Sequence, residues 1–179
     1  MSQEESRESV LGASPHLEAE ARVSTALNRE SLEELLSAIH AQAGEIGRGY
    51  VGGASLIWSS DVMTATRTGR RTMLKVHSGD SETRIDATEE LGGMAGGIFG
   101  GLIGGVGLGA GLGVGLGVGL GTLASVPFAV GVPAVALVAS YALSRAVFRR
   151  AVSLRGQKLR RLVDGVREEA EELAREQAQ

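Results

Sequence analysis

The sequence predicts an α+β chain in which a small helix and an antiparallel β-meander precede a glycine-rich transmembrane helical hairpin and a C-terminal amphipathic helix. Three observations carry that prediction. Residues 91–144 contain no charged side chain, a run of 54 residues, and roughly 20 apolar residues already suffice to span a bilayer. Of the 27 glycines, 16 fall within residues 92–121. Upstream of them, apolar and polar residues alternate between short turn sequences, the signature of half-buried strands. Composition also excludes several classes of chemistry. The absence of cysteine removes disulfide scaffolds, thiolate zinc sites, iron–sulfur clusters and cysteine nucleophiles. A formal charge of -3 and few aromatic side chains argue against a nucleic-acid partner, which calls for a basic surface and stacking rings.

Residues 1–24 read as a disordered leader, because Glu, Ser, Arg and Ala follow one another without a sustained period and Pro15 interrupts them. They lack the apolar core of a signal peptide. A helix-plus-meander module follows over residues 25–90. Ser31 and Glu34 fit a capping box, after which Leu32, Leu35, Leu36, Ile39 and Ala43 recur at helical spacing, and Gly44, Gly47 and Gly49 end the helix. Strands are expected at Leu56-Ile57-Trp58, from Val62 through Arg67, from Met73 through His77 and from Glu82 through Thr88. The turns between them fall at Ser59-Ser60-Asp61, Thr68-Gly69 and Ser78-Gly79-Asp80. So small a module has a marginal core and would lean on the membrane or on a second copy.

The glycine-rich segment has one feature that reaches across its whole length. Gly93, Gly97, Gly101, Gly105, Gly109, Gly113, Gly117 and Gly121 stand at strict four-residue spacing, a ridge of small residues that lets helix backbones approach closely in lipid. Every second residue from Gly105 to Gly121 is also glycine, so a strand is an alternative for that stretch. Backbone accounting favours the helix. In water each glycine would cost a helix about 1 kcal/mol relative to alanine. In hydrocarbon each unpaired backbone group costs several kcal/mol, and only helices or closed barrels leave none.

At 1.5 Å per residue the uncharged run would make a helix of about 80 Å, long enough for two spans. The hairpin occupies residues 91–148, with spans at about 94–123 and 127–148 and a turn marked by Thr122, Ser125, Pro127, Gly131 and Pro133. Arg145, Arg149, Arg150, Arg155, Lys158, Arg160 and Arg161 follow with no acid among them. That cluster orients the hairpin by the positive-inside rule, so both termini are expected in the cytoplasm, and it offers a surface to anionic lipid. Residues 149–179 then turn from basic to acidic. Leu159, Val163, Val166, Ala170 and Leu173 keep four-and-three spacing through the change, which fits either a short coiled-coil seam or an amphipathic helix lying on the sheet module or on anionic headgroups.

No catalytic, metal or cofactor motif stands out. His16, His40 and His77 lie in different segments, without carboxylates at metal-ligand spacing. Ser78 and Asp80, next to His77, sit in one strand and turn and so cannot form a proton relay. The glycine run lacks the Gly-Lys-Ser/Thr ending of a phosphate loop.

The alternating glycines resemble the inner helix of the proteolipid ring subunit of rotary ATPases, a likeness of about 17 residues that implies tight ring or pair packing. That family carries its ion on a carboxylate in the second span, and residues 127–148 here hold no Asp or Glu; the polar residues are Ser140, Tyr141 and Ser144. A broader likeness joins Thr83-Arg84-Ile85, Glu89-Glu90-Leu91-Gly92-Gly93, the glycine run and Arg145, Phe148 and Arg149. Together they resemble a glycine-rich two-span membrane module of uncharacterised bacterial proteins, sometimes the tail of membrane-linked regulatory proteins such as serine/threonine kinases. It implies a membrane-anchored accessory domain without kinase residues of its own. The expected function is thus a non-enzymatic anchor, scaffold or sensor in the cell membrane, self-associating through the glycine ridge, with a protein partner on the cytoplasmic module. The competing readings are a pore-former that inserts its hairpin from a soluble state and a soluble assembly that buries the run.

Overall fold

The structure, a computed structural model, describes residues 10–62, 70–110, 112–114 and 126–179 of the chain. Its elements are β1 (His16–Val23), α1 (Arg29–Ala43), β2 (Arg48–Gly52), β3 (Ser55–Val62), β4 (Arg70–Ser78), β5 (Thr83–Glu90), α2 (Gly92–Phe99), a π-helical segment (Gly100–Ala110) and the 52-residue α3 (Val126–Gln177). The class is α+β, with one five-stranded antiparallel sheet in the order β1-β5-β4-β3-β2. Two compact units result. One holds residues 16–92 and 153–179, the other residues 1–15 and 93–152.

In the first unit β3, β4 and β5 fall where strands are expected at 56–58, 73–77 and 82–88, whereas β2, in the stretch read as the end of the helix, and β1 beside β5 are strands that the sequence does not predict. β1 corrects the disordered leader for residues 16–23. Leu17, Ala19, Ala21 and Val23 alternate inward against the core while His16, Glu18, Glu20 and Arg22 are exposed. The alternation is strict, but it is written in Ala and Glu, which favour helices over strands. Pairing with β5 overrides that preference. Glu20 is held by Arg22 at 2.8 Å and by Arg84 of the neighbouring strand at 3.4 Å, so the exposed face is laced with opposite charges.

β1 and β2 lie at opposite edges of the sheet, and α1 makes the connection between them. The helix starts three residues earlier than the capping box predicts. Asn28 is the N-cap, its Oδ1 accepting from the Ser31 amide at 2.9 Å, so Ser31 lies inside the helix and is buried. At the other end Gly44 adopts φ 61° and closes the helix as expected. Leu32, Leu35, Ile39 and Ala43 are buried, with Leu36 partly so.

The turn expected at Ser59-Ser60-Asp61 is instead part of β3, which runs unbroken from Ser55 to Val62 and pairs Val62 with Arg70. Two adjacent serines imitate a hairpin turn in sequence. Here Ser60 is fully buried and donates to Glu45 Oε2 at 2.9 Å, so its hydroxyl is satisfied inside the fold. The strand expected from Val62 through Arg67 lies, beyond Val62, outside the described residues.

The C-terminal part of α3 completes the core of the same unit. Leu159, Val163, Val166, Ala170, Leu173 and Ala174 are buried in one cluster with Leu32, Leu35, Ile39, Leu56, Trp58, Leu74, Val76 and Ile85. Gln177 donates to Ser31 Oγ of α1. The four-and-three stripe is therefore used against the sheet and α1, the amphipathic alternative, and not in a coiled-coil seam. With this helix added, the module no longer has to find its second layer elsewhere.

The second unit is helical. α2 and the π-helical segment occupy the described part of the first expected span to residue 110, and residues 112–114 are helical again. The strand alternative is thus excluded for residues 105–110 and 112–114. Pro127 lies in the first turn of α3, where a missing amide does no harm. Pro133 and Gly131 lie inside the helix and do not mark a turn; Thr122 and Ser125 fall outside the described residues.

Candidate functional site

The helical unit carries the apolar surface that the sequence concentrates there. α2 with its π-helical continuation, and α3, are each long and apolar enough to cross a membrane, and only 7% and 11% of their most apolar windows are buried within the chain. Val130, Val135, Val138 and Leu143 are all more than half exposed. The helices meet through a few contacts. Phe99 packs on Phe148 and Tyr141 with ring centroids 6.1 Å apart in both cases, and Phe148 is fully buried. The Ser144 hydroxyl donates to the Ser140 carbonyl at 2.7 Å, so a polar group buried in this unit is satisfied by its own helix. The Tyr141 hydroxyl donates to the Val10 carbonyl at 2.8 Å. Residues 10–15 therefore pack on this unit, a second departure from the expected leader.

The glycine ridge takes an unexpected place in this arrangement. A Cβ at Gly101, Gly105 or Gly113 would meet nothing within 4 Å, and one at Gly109 would touch only the Gly104 carbonyl at 4.0 Å. Gly97 is exposed and Gly93 partly so, while Gly117 and Gly121 lie outside the described residues. The close approach between the helices is made by Gly107, which is off the four-residue line. A Cβ there would lie 3.1 Å from Ser140 Oγ and 3.4 Å from Leu137 Cδ2. Sequence spacing identifies a ridge, but only the pairing of the helices tells which glycine faces the partner helix.

The basic residues divide between the two units. Arg149 and Arg150 are exposed on the helical unit, and the Arg145 side chain passes Gly12, whose φ of 80° and missing Cβ make room for it. Arg160 is exposed on the sheet unit. Arg155, Lys158 and Arg161 line a cleft of about 320 Å³ in that unit, together with Glu45, Trp58, Thr72 and Glu89. Glu45 lies just beyond the glycine that closes α1. Arg155 Nη1 and Lys158 Nζ approach the same oxygen, Glu45 Oε1, at 3.9 and 3.7 Å. The Trp58 ring is buried under Gly47, where a Cβ would come within 2.4 Å of it. Its indole Nε1–H is buried without a hydrogen-bond partner among the described residues. No sequence motif could have found this cleft, because its residues come from α1's end, β3, β4, β5 and α3 and only the fold collects them.

The histidines stand apart from one another. His40 Nδ1 contacts the Leu36 carbonyl at 2.8 Å, and His77 Nδ1 lies 2.9 Å from Ser55 Oγ. Among the described residues no group of three or more His, Asp or Glu side chains could hold a metal ion. On the open sheet face Arg22 and then Arg84 hold the Glu20 carboxyl below the ordinary carboxylate range, and the Asp86 partner raises Arg84 in turn. Comparison with known proteins finds no matching family model, no similar curated protein and no similar solved structure.

Proposed function

We propose that this protein is a non-enzymatic integral membrane anchor or scaffold whose helical hairpin self-associates through the glycine ridge and holds the sheet unit, with both termini, at the cytoplasmic face. The observation that carries the reading is the exposure of two apolar, uncharged helices. A core helix of a soluble protein of this length is mostly buried, whereas these windows are about nine-tenths open within the chain. The open ridge supports the second half. Gly101, Gly105 and Gly113 have free space among the described residues where a side chain would go, so contacts among those residues do not call for glycine there. A neighbouring helix packed on that line would. Arg149 and Arg150 supply the cationic flank and the affinity for anionic lipid. The likeness to glycine-rich two-span modules of membrane-linked regulatory proteins agrees with an accessory role, in which a partner protein meets the sheet unit.

The test is extraction of cell membranes with alkaline carbonate, followed by protease treatment of sealed vesicles with a tag on each terminus. The expected result is a protein retained in the pellet with both tags on the cytoplasmic side. Recovery in the supernatant overturns the anchor. In mild detergent, Gly105→Leu should lower the oligomer mass measured by light scattering, and an unchanged mass counts against the ridge. Leakage of dye from liposomes on addition of the purified protein would favour the pore-forming alternative.

A further inference from the structure

We infer that the cleft of the sheet unit is a binding site for a phosphate-bearing ligand, with Arg155, Lys158 and Arg161 as its cationic wall. The inference is independent of the membrane reading, since every residue of the cleft belongs to the sheet unit.

The charge arrangement is the first ground. Arg155 and Lys158 both converge on Glu45 Oε1, at 3.9 and 3.7 Å. A charge-assisted hydrogen bond would bring donor and acceptor to roughly 2.7–2.9 Å. Glu45 cannot move toward them freely, because its other oxygen accepts from the buried Ser60 hydroxyl at 2.9 Å. Two cations are thus brought together around one point by a carboxylate that stays too far away to satisfy either. Arg161, which lines the same cleft, makes no ion pair among the described residues. A phosphate group, with several oxygens arranged around one centre, can accept from an Arg fork and a Lys ammonium together, where one carboxylate oxygen must be shared.

The rest of the lining is the second ground. Trp58, 1% exposed, forms part of the cleft wall with Thr72. The cleft, at about 320 Å³, is at the small end of ligand pockets. Its apolar lining from Ala43, Leu159 and Leu162 suits a phosphate on a short organic stem. A lipid headgroup and a soluble phosphate ester share that chemistry.

Trp58 is the chain's sole tryptophan, so its emission reports the cleft directly. The full-length protein in a maltoside detergent is titrated with inorganic phosphate against chloride at equal ionic strength. It is then placed in nanodiscs of phosphatidylcholine with and without phosphatidic acid. A saturable change with phosphate in detergent identifies a soluble phosphate as the ligand class; a change confined to phosphatidic acid nanodiscs identifies a headgroup. Arg155→Gln combined with Lys158→Gln should weaken the response about tenfold or more, with far-UV circular dichroism unchanged. Glu45→Gln, which removes the competing carboxylate, should strengthen it. No saturable response in either medium, or a response unaltered by the double substitution, overturns the site.

Discussion

The two units of this protein treat apolar surface in opposite ways. In the sheet unit the stripe from Leu159 to Ala174 is buried against α1 and the strands, and the alternating face of β1 to β5 is closed beneath it. In the helical unit Val130, Val135 and Val138, near the start of the same α3, are between 65% and 70% exposed. Several glycines add to the contrast, Gly12 and Gly107 excepted. At Gly47, Gly49 and Gly165 a Cβ would strike Trp58, Leu36 or Gln42 at 2.7 Å or less, whereas at Gly100, Gly101, Gly104, Gly105 and Gly113 it would strike nothing. The difference teaches that one unit closes its apolar surface with its own side chains while the described helices of the other leave theirs open.

The largest test of that contrast is truncation. Leu35→Ala and Val166→Ala each remove a fully buried side chain from the sheet core and should destabilise it by about 2–4 kcal/mol, read as a lower urea midpoint of Trp58 emission. Val135→Ala and Val138→Ala should leave that midpoint where it is. Equal losses at both pairs would erase the distinction.

Glycine substitution sharpens it next. Gly47→Ala forces a methyl into the Trp58 ring, and overpacking of this kind costs about 1–3 kcal/mol, with a shift in tryptophan emission. Gly101→Ala meets no neighbour among the described residues. Any loss of oligomer mass in detergent on that substitution, with the Trp58 midpoint unchanged, would locate the missing neighbour in another copy.

A smaller effect belongs to the start of α1. Asn28→Ala removes the cap that accepts from Ser31 and should cost about 1 kcal/mol in the same urea measurement, while Ser31→Thr, which keeps a hydroxyl inside the helix, should cost less. A larger loss from the second would return the capping role to Ser31.

The smallest concerns pH. The folded Glu20 carboxyl is held below its ordinary range by Arg22 and Arg84, so the folded state binds its proton less readily than the unfolded chain. Its contribution is present above the unfolded carboxylate range and is lost as pH falls through the depressed folded value. Because the group is exposed, the effect on stability should be slight and should fade with salt. A carbon-detected NMR titration should find the Glu20 midpoint returned toward the ordinary range in Arg22→Ala, and no movement would remove Arg22 as the cause.

The α+β class, the strands β4 and β5 with the first half of β3, the body of α1 with its Gly44 stop, and two apolar helices were all legible in the sequence, because each follows from a short period or a local breaker. β1 was hidden because its alternation is spelled in residues of helical propensity, and the β3 serines passed for a turn because a hydroxyl looks the same in sequence whether water or Glu45 satisfies it. The glycine line was legible as a spacing and not as a contact, since Gly107 and not the ridge meets Ser140.

What the sequence determined by itself is therefore the partition of charge, an uncharged run of 54 residues set between charged segments. What only the tertiary structure decided is where the four-and-three stripe of α3 is used and which charges meet. Periodicity fixes which face of a helix is apolar but not what covers it. Glu45, Trp58, Arg155 and Lys158 become neighbours only when the helix bearing the last two is laid on the sheet.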